Sequence, residues 1–373
     1  MTPRSRPVAA FAAVLLAAAS GSGQRADLRP VGSLPEGHGW YRLSFADGAS
    51  GLLASSTHVW RTRNGGASWQ AAAPVPFEQT QGIAGGIWDF QCQQSRCLAV
   101  TKGNRLFETT DGAATWRRVP LPAMEGRAGE IRGTRLAGRG SEWAFGGVYR
   151  AAAKGETGPN NAMKASGEGG RLLLGPAVFG TSDGGQHWNL QAVPVGLDGA
   201  PPSYRVLDLS VLDGAAVLTT GSSVFHTADG GKHWEPSHVY GWGCHRERLF
   251  DNDGPLIRNV FLFAGGTGIL SPDDGSLYRT ADGGASWCQI SAPATIHSRT
   301  STNPSRLESL GLYGPQAGLG VEFSGSLLST QDGGRTWAVE SPVDVTLTQI
   351  VVLDQDNIWA LSQNQLYKID VHK

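Results

Sequence analysis

TRNGGASW (62–69), TTDGAATW (109–116), TSDGGQHW (181–188), TADGGKHW (227–234), TADGGASW (280–287) and TQDGGRTW (330–337) are six versions of one phrase, and they decide the fold. Each reads as a tight hairpin turn. Asn64, Asp111, Asp183, Asp229, Asp282 and Asp332 supply a side-chain acceptor for turn amides, and the glycines that follow permit positive φ. Trp69, Trp116, Trp188, Trp234, Trp287 and Trp337 open the return strand with a large apolar surface, placed to wedge between neighbouring sheets. The Trp-to-Trp spacings of 47, 72, 46, 53 and 50 residues match four short strands plus turns. One carboxylate per turn is too few oxygen ligands for calcium, so the phrase is a fold-building device.

Upstream of each box lies an alternating strand pair, for example YRVLDLSVLDGAAVLTT (204–220) and IRNVFLFAGGTGIL (257–270). After the sixth box, VTLTQIVVLDQDNIWALSQNQLYKID (345–370) supplies three more strands without a box. Residues 27–34 can add the missing outermost strand, closing a ring and removing exposed sheet edges. The expectation is an all-β, single seven-bladed propeller over residues 24–373, with six or eight blades as the alternatives. The long spacing is explained by an insertion in blade three, residues 151–170, polar and Gly- and Ala-rich, which reads as a mobile loop between the second and third strands.

The boxes resemble the Asp-box, or bacterial neuraminidase, repeat, whose pattern is Ser/Thr-x-Asp-x-Gly-x-Thr-Trp. In that family the box joins the third and fourth strands of a blade on the face away from the binding site. Asn64 in place of Asp, Ala113 in place of the second Gly, and His187 and His233 in place of Thr are departures expected to weaken individual turns.

The chain has 373 residues, 40% hydrophobic and 17% charged, with 52 Gly and 20 Pro, a turn-rich globular composition. Arg4 and Arg6 precede an apolar run, 8–19, too short to span a bilayer, so residues 1–23 read as a secretory signal peptide and the protein as periplasmic or secreted. Losing that segment takes the formal charge from −1 to −3, and no long run of one sign suggests nucleic acid. The four cysteines suit an oxidising compartment. Cys92 and Cys97 flank a four-residue turn that brings strand ends within bridging distance, Cys244 and Cys288 are the second candidate pair, and small buried hydrophobes are the alternative.

Chemistry is expected on the face opposite the boxes. Arg42, Arg132, Arg205 and Arg258 each sit near the start of a blade's first strand, and a ring of guanidiniums at the channel mouth follows if their phases agree. The alternative is that they are solvated or paired with Glu308 and nearby aspartates. The long connection 238–254 adds Tyr240, Trp242, His245, Arg246 and Arg248, a mixture typical of contact surfaces. The phrase 251–254, DNDG, opens like a calcium loop, but Leu262 stands where that loop needs a carboxylate. Asp273 and Asp274 read as turn formers, no HExxH pair is present, and neither metal nor cofactor is expected.

Among enzymes, the rival reading is a sialidase, which shares the box and needs an arginine triad, a Tyr with a Glu partner and an Asp acid/base. Its Phe/Tyr-Arg-Ile-Pro signature is nearest to Tyr41-Arg42-Leu43-Ser44, without the Pro, and Tyr313 with Glu308, or Tyr204, are the nominees for nucleophile. The chain more closely resembles the photosystem II assembly and stability factor family, seven-bladed and chiefly non-enzymatic, with an arginine patch that engages a client protein. That resemblance implies a binding or assembly factor for a client protein; the arginine ring adds the expectation of a partner with an acidic segment, or an anionic glycan, and the chain is expected to be a monomer.

Overall fold

The computed structural model describes residues 25–35, 41–76, 86–93, 95–102, 104–123, 128–136, 141–151, 171–191, 205–212, 214–242, 244, 255–291, 306–314, 316–340 and 345–372. Seven sheets follow one another along the chain, each with four antiparallel strands ordered from a channel-lining first to a fourth on the outside, and one with a fifth strand beyond it. The first strands are Tyr41–Phe45, Ile87–Gln93, Ala128–Leu136, Asp208–Leu212, Ile257–Phe263, Leu307–Leu312 and Leu347–Asp354. The seventh blade is completed from the other end of the chain. Arg25–Ser33 pairs antiparallel with Gln365–His372, Asp27 facing Asp370, so the N-terminal strand closes the ring. Outer strands of two or three residues, such as Gln70–Ala71 and Glu235–Pro236, leave little edge exposed.

Hydrophobic clusters lie between blades, and a box Trp sits in six of them. Trp287 is wholly buried against Val217 and Val224 of blade four, and Trp188 against Leu98 and Val100 of blade two. Trp69 closes the ring by packing with Trp359, Leu361 and Leu366 of blade seven. The box turns earn this placement through one repeated network. In the fifth, Thr280 Oγ1 donates to Asp282 Oδ1 at 2.7 Å and accepts from the Gly284 amide at 3.0 Å, while Asp282 accepts from the Ser286 amide at 2.9 Å.

At the departures from the box pattern the hydrogen bonds of the turn are kept by other groups. His187 Nδ1 lies 2.7 Å from Asp183 Oδ2 and His233 Nδ1 2.6 Å from Asp229 Oδ2, the place that Thr115 and Thr336 hydroxyls take in other boxes. These bonds, the His187 amide first, hold the Asp183 carboxyl well below the usual carboxylate range. Asn64 accepts from Thr62 and Ser68 like an Asp and donates its amide to the Ser68 hydroxyl. Only Ala113 keeps a cost, a φ of 64° that Gly would adopt freely.

Side chains on the first strands staple each blade to the next around the channel. Gln349 of blade seven bonds Leu43 N and O, Ser44 reaches Cys92 O, Asp89 accepts from Thr134 N, and Arg135 meets Asp208. Asp208 and Ser210 accept from Val260 and Leu262 amides, Asn259 donates to Leu307 O, and Ser309 accepts from Ile350 N. The belt is unbroken, so every junction is held by polar bonds inside, and all but that of blades six and seven by a box Trp outside.

Two disulfides are formed, Cys92–Cys97 directly across a hairpin and Cys244–Cys288. The second ties down an element that sequence reading placed wholly in a loop. His238–Trp242 is a fifth strand of blade five, parallel to Ser286–Ser291 on the blade's outer edge. Residues 1–23 lie outside the described residues, as do 152–170 of the insertion. The flanking strands of that insertion, Glu142–Ala151 and Arg171–Thr181, pair to their ends and are about twice as long as their counterparts in most blades. No helix among the described residues is long and apolar enough to cross a membrane.

Between blades two and three, on the box face, Glu142 is buried with Arg96, which also pairs with Glu108, while Arg117 pairs with Glu108. Burial, only partly offset by Arg96, pushes the Glu142 carboxyl up to about 7. The folded state therefore keeps this proton longer than the unfolded chain. Its stabilisation is complete below the unfolded value near 4.5 and is lost as pH rises to about 7. Glu142→Gln should flatten the stability profile between pH 5 and 8, removing a loss of up to about 3 kcal/mol, read from denaturant midpoints across that range.

Candidate functional site

A repeated irregularity aims side chains at the channel mouth. In five blades the register of the first strand skips one residue after a buried aliphatic, leaving Trp88, Arg132, Arg258, Glu308 and Thr348 as single-residue bulges. A bulge bends its strand and re-aims the extra side chain. Four of these five, Trp88, Arg132, Arg258 and Glu308, line one cavity of roughly 230 Å³. Arg205, Arg306 and Asn259 complete the charged and polar part of its lining.

Of the four arginines expected there, the structure brings Arg132, Arg205 and Arg258 together. Arg205 is out of phase with the others, one residue before the buried Val206, and reaches the cavity from outside the strand. Arg42, on a first strand without a bulge, does not line it. Arg306, not nominated from sequence, does. Tyr240 and Trp242 lie on the outer edge of blade five, away from the channel, with Trp242 64% exposed and Tyr240 stacked on His238 at 6.4 Å. His245, Arg246, Arg248 and Tyr204 fall outside the described residues.

Most of the guanidiniums already have acids. Arg132 pairs with Glu130, Arg258 Nε lies 2.9 and 2.8 Å from the two oxygens of Asp273, and Arg306 contacts Asp273 at 3.1 Å and Glu308 at 2.6 Å. Asp273 is thus a bridge between two arginines rather than only a turn former, while Asp274 does form the turn, accepting from Ser276 N. Two guanidiniums also lie on exposed rings: Arg132 is 4.3 Å from the centre of Trp88 and Arg306 is 4.4 Å from that of Phe323. Phe323, 65% exposed in the turn after Gly318–Glu322, extends this surface away from the channel.

Deeper in the channel, Arg135 lies half-buried between Asp208 and Asp89. Burial opposes its charge, yet Asp208 and Asp89 hold it above the ordinary guanidinium value. It belongs to the polar belt and does not line the cavity.

The tyrosine nominated for hydrolysis is elsewhere. Tyr313 follows the far end of Leu307–Leu312 from Glu308, on the box face, where it bonds Gln331. A phenol beside the arginines is Tyr149, bonded to Arg205 and close to Glu130; burial, then Glu130, pushes it above its usual value. Among the described residues no group of three or more His, Cys, Asp or Glu is placed to hold a metal ion.

Fold and site together define a seven-bladed propeller with a charged, aromatic-flanked cavity at one channel mouth. Solved structures with this fold include YCF48 bound to D1 peptide, with a TM-score of 0.60 at 18% identity, covering 93% of this chain and 97% of that one. YCF48 from Cyanidioschyzon merolae matches at TM-score 0.60 and 15% identity over 92% and 98% of the two chains. U3-55K matches at 0.60 and 11% over 93% and 100%. No protein-family model matches the sequence, and no curated protein matches it either.

Proposed function

We propose that this is an exported, non-catalytic propeller that binds a segment of a protein partner in the cavity at the channel mouth. The observation that carries it is the convergence of Arg132, Arg205, Arg258 and Arg306 with Trp88 and Phe323 on one face. Arg and Trp dominate the energetics of protein interfaces, and here both are positioned by bulges and stacking rather than left on free loops. The fold similarity to a YCF48 bound to D1 peptide supports a peptide-sized ligand. Two disulfides support an oxidising compartment, periplasmic or extracellular.

Replacing Arg132 and Arg205 together by Ala should weaken capture of the partner from the exported fraction by about 2 kcal/mol, roughly thirtyfold, with the melting temperature nearly unchanged. Unaltered affinity would refute the assignment. The hydrolase reading retains one juxtaposition, Tyr149 beside Glu130 and Arg205. Its phenol is moved away from the ionised state a nucleophile needs. Turnover of a fluorogenic sialoside that disappears in Tyr149→Phe would establish that reading instead.

A further inference from the structure

The four arginines of the cavity are not equivalent. Glu130, Asp273 and Glu308 give three carboxylates against four guanidiniums, and they pair with Arg132, Arg258 and Arg306. Among the described residues no carboxylate lies within ion-pair distance of Arg205, whose bonding partner is the Tyr149 hydroxyl. An incoming anion at the other three must compete with an acid already in contact. At Arg205 it displaces water.

Arg205 is also held in place. The next residue, Val206, donates its amide to Gly146 O at 2.8 Å, fixing the backbone against blade three. Beside it, Gly147 leaves so little room that a Cβ there would stand 3.0 Å from the Arg205 Cβ. Tyr149, itself buried, reaches the side chain through its hydroxyl. In the same cavity Trp88 is 42% exposed and backed by the Arg132 guanidinium, an apolar surface that costs little entropy to use.

From this we propose that the cavity accepts a single carboxylate, on Arg205, with the apolar side chain next to that carboxylate lying on Trp88. The ligand is then a peptide segment pairing one acidic group with a bulky apolar residue, not a polyanion spread over a ring of arginines. Arg132, Arg258 and Arg306 act as positioning residues that shape the wall and stay with their own acids. This rests on the partner-binding reading above.

The test uses the mature full chain and synthetic peptides followed by calorimetry. One probe carries internal Leu-Glu between Gly-Ser flanks with both ends blocked, a second replaces Glu by Gln, a third ends in Leu with a free carboxylate, and a fourth is blocked poly-Glu. The Leu-Glu probe should bind at least tenfold tighter than Leu-Gln, about 1.4 kcal/mol, and at least as tightly as poly-Glu. Arg205→Gln should erase the Glu-over-Gln preference, whereas Arg258→Gln should keep it, and Trp88→Ala should weaken both probes alike. Whichever of the first and third probes binds more tightly identifies an internal or a C-terminal acid as the source. A preference that survives Arg205→Gln and vanishes in Arg258→Gln overturns the anchor while leaving the cavity a binding site. Failure of every probe to bind the unaltered protein overturns the partner-binding reading and the anchor together.

Discussion

Gly284→Ala is expected to destabilise the protein by about 4 kcal/mol, whereas Gly283→Ala, one residue away in the same box, costs only about 1 kcal/mol. Both glycines have positive φ, 74° at Gly283 and 98° at Gly284, so both substitutions strain the backbone. The difference lies in what surrounds them. A Cβ on Gly283 meets nothing within 4 Å, while one on Gly284 would stand 2.1 Å from Cγ2 of Val217, a wholly buried side chain of the preceding blade. The same relation holds at Gly66 against Leu366 and Gly231 against Trp143. The second glycine of a box is therefore the point where one blade docks on the one before it. Equal denaturant midpoints for the two variants would mean that the boxes act only as turns.

Asp208→Ala should cost 3 to 5 kcal/mol, roughly the penalty for breaking a buried pair from one side. Asp208 accepts from the amides of Leu209 and Val260 and meets Arg135, so three donors lose their acceptor at once. Burial pushes this carboxyl up, against the pull of Arg135 and the two amides, and the pair is retained as one joint of the polar belt that links blades three, four and five. Arg135 would keep the Thr134 carbonyl at 2.7 Å but would have only Asp89, at 3.4 Å, as an acid among the described residues. Exchanging Arg135 for Met in the Asp208→Ala background should recover part of the loss, because it removes the stranded charge. A loss under about 1 kcal/mol for Asp208→Ala would show that the belt is solvated and contributes little.

The architecture was legible because its signal is local. Each box carries its own turn chemistry, so six repetitions fix the blade period, and the boxless strands at 345–370 call for a partner that only the N-terminal strand can supply. The fifth strand of blade five was missed for the opposite reason. His238–Trp242 pairs in parallel with a strand 48 residues on, His238 facing Ser286 and Tyr240 facing Cys288, and no hairpin signal precedes such a pairing. Its alternation of buried Val239 and Gly241 with exposed His238 and Trp242 was the available cue.

At the site, residue type was readable and phase was not. Arg42 and Arg132 occupy matching positions after Tyr41 and Ile131, but only the second sits on a bulge, and a bulge leaves no mark in the sequence of a single strand. Trp88 and Glu308 hold the same position in blades two and six; Trp88 was passed over because it is not an arginine, and Glu308 was read only as an acid partner. Aligning the first strands on their buried aliphatics, Ile87, Ile131, Ile257 and Leu307, would have found them. Whether an arginine already has an acid depends on residues such as Asp273 in a different strand, which spacing does not reveal.

Site-specific photo-cross-linking in the native cell tests the central claim most directly, with a photoreactive residue in place of Phe323 on the cavity face or of Leu353, exposed near the opposite, box-bearing face. The account predicts a discrete protein adduct from position 323, reduced when Arg132 and Arg205 are also replaced by Ala, and none from position 353. An adduct from position 353 with none from position 323 would contradict it.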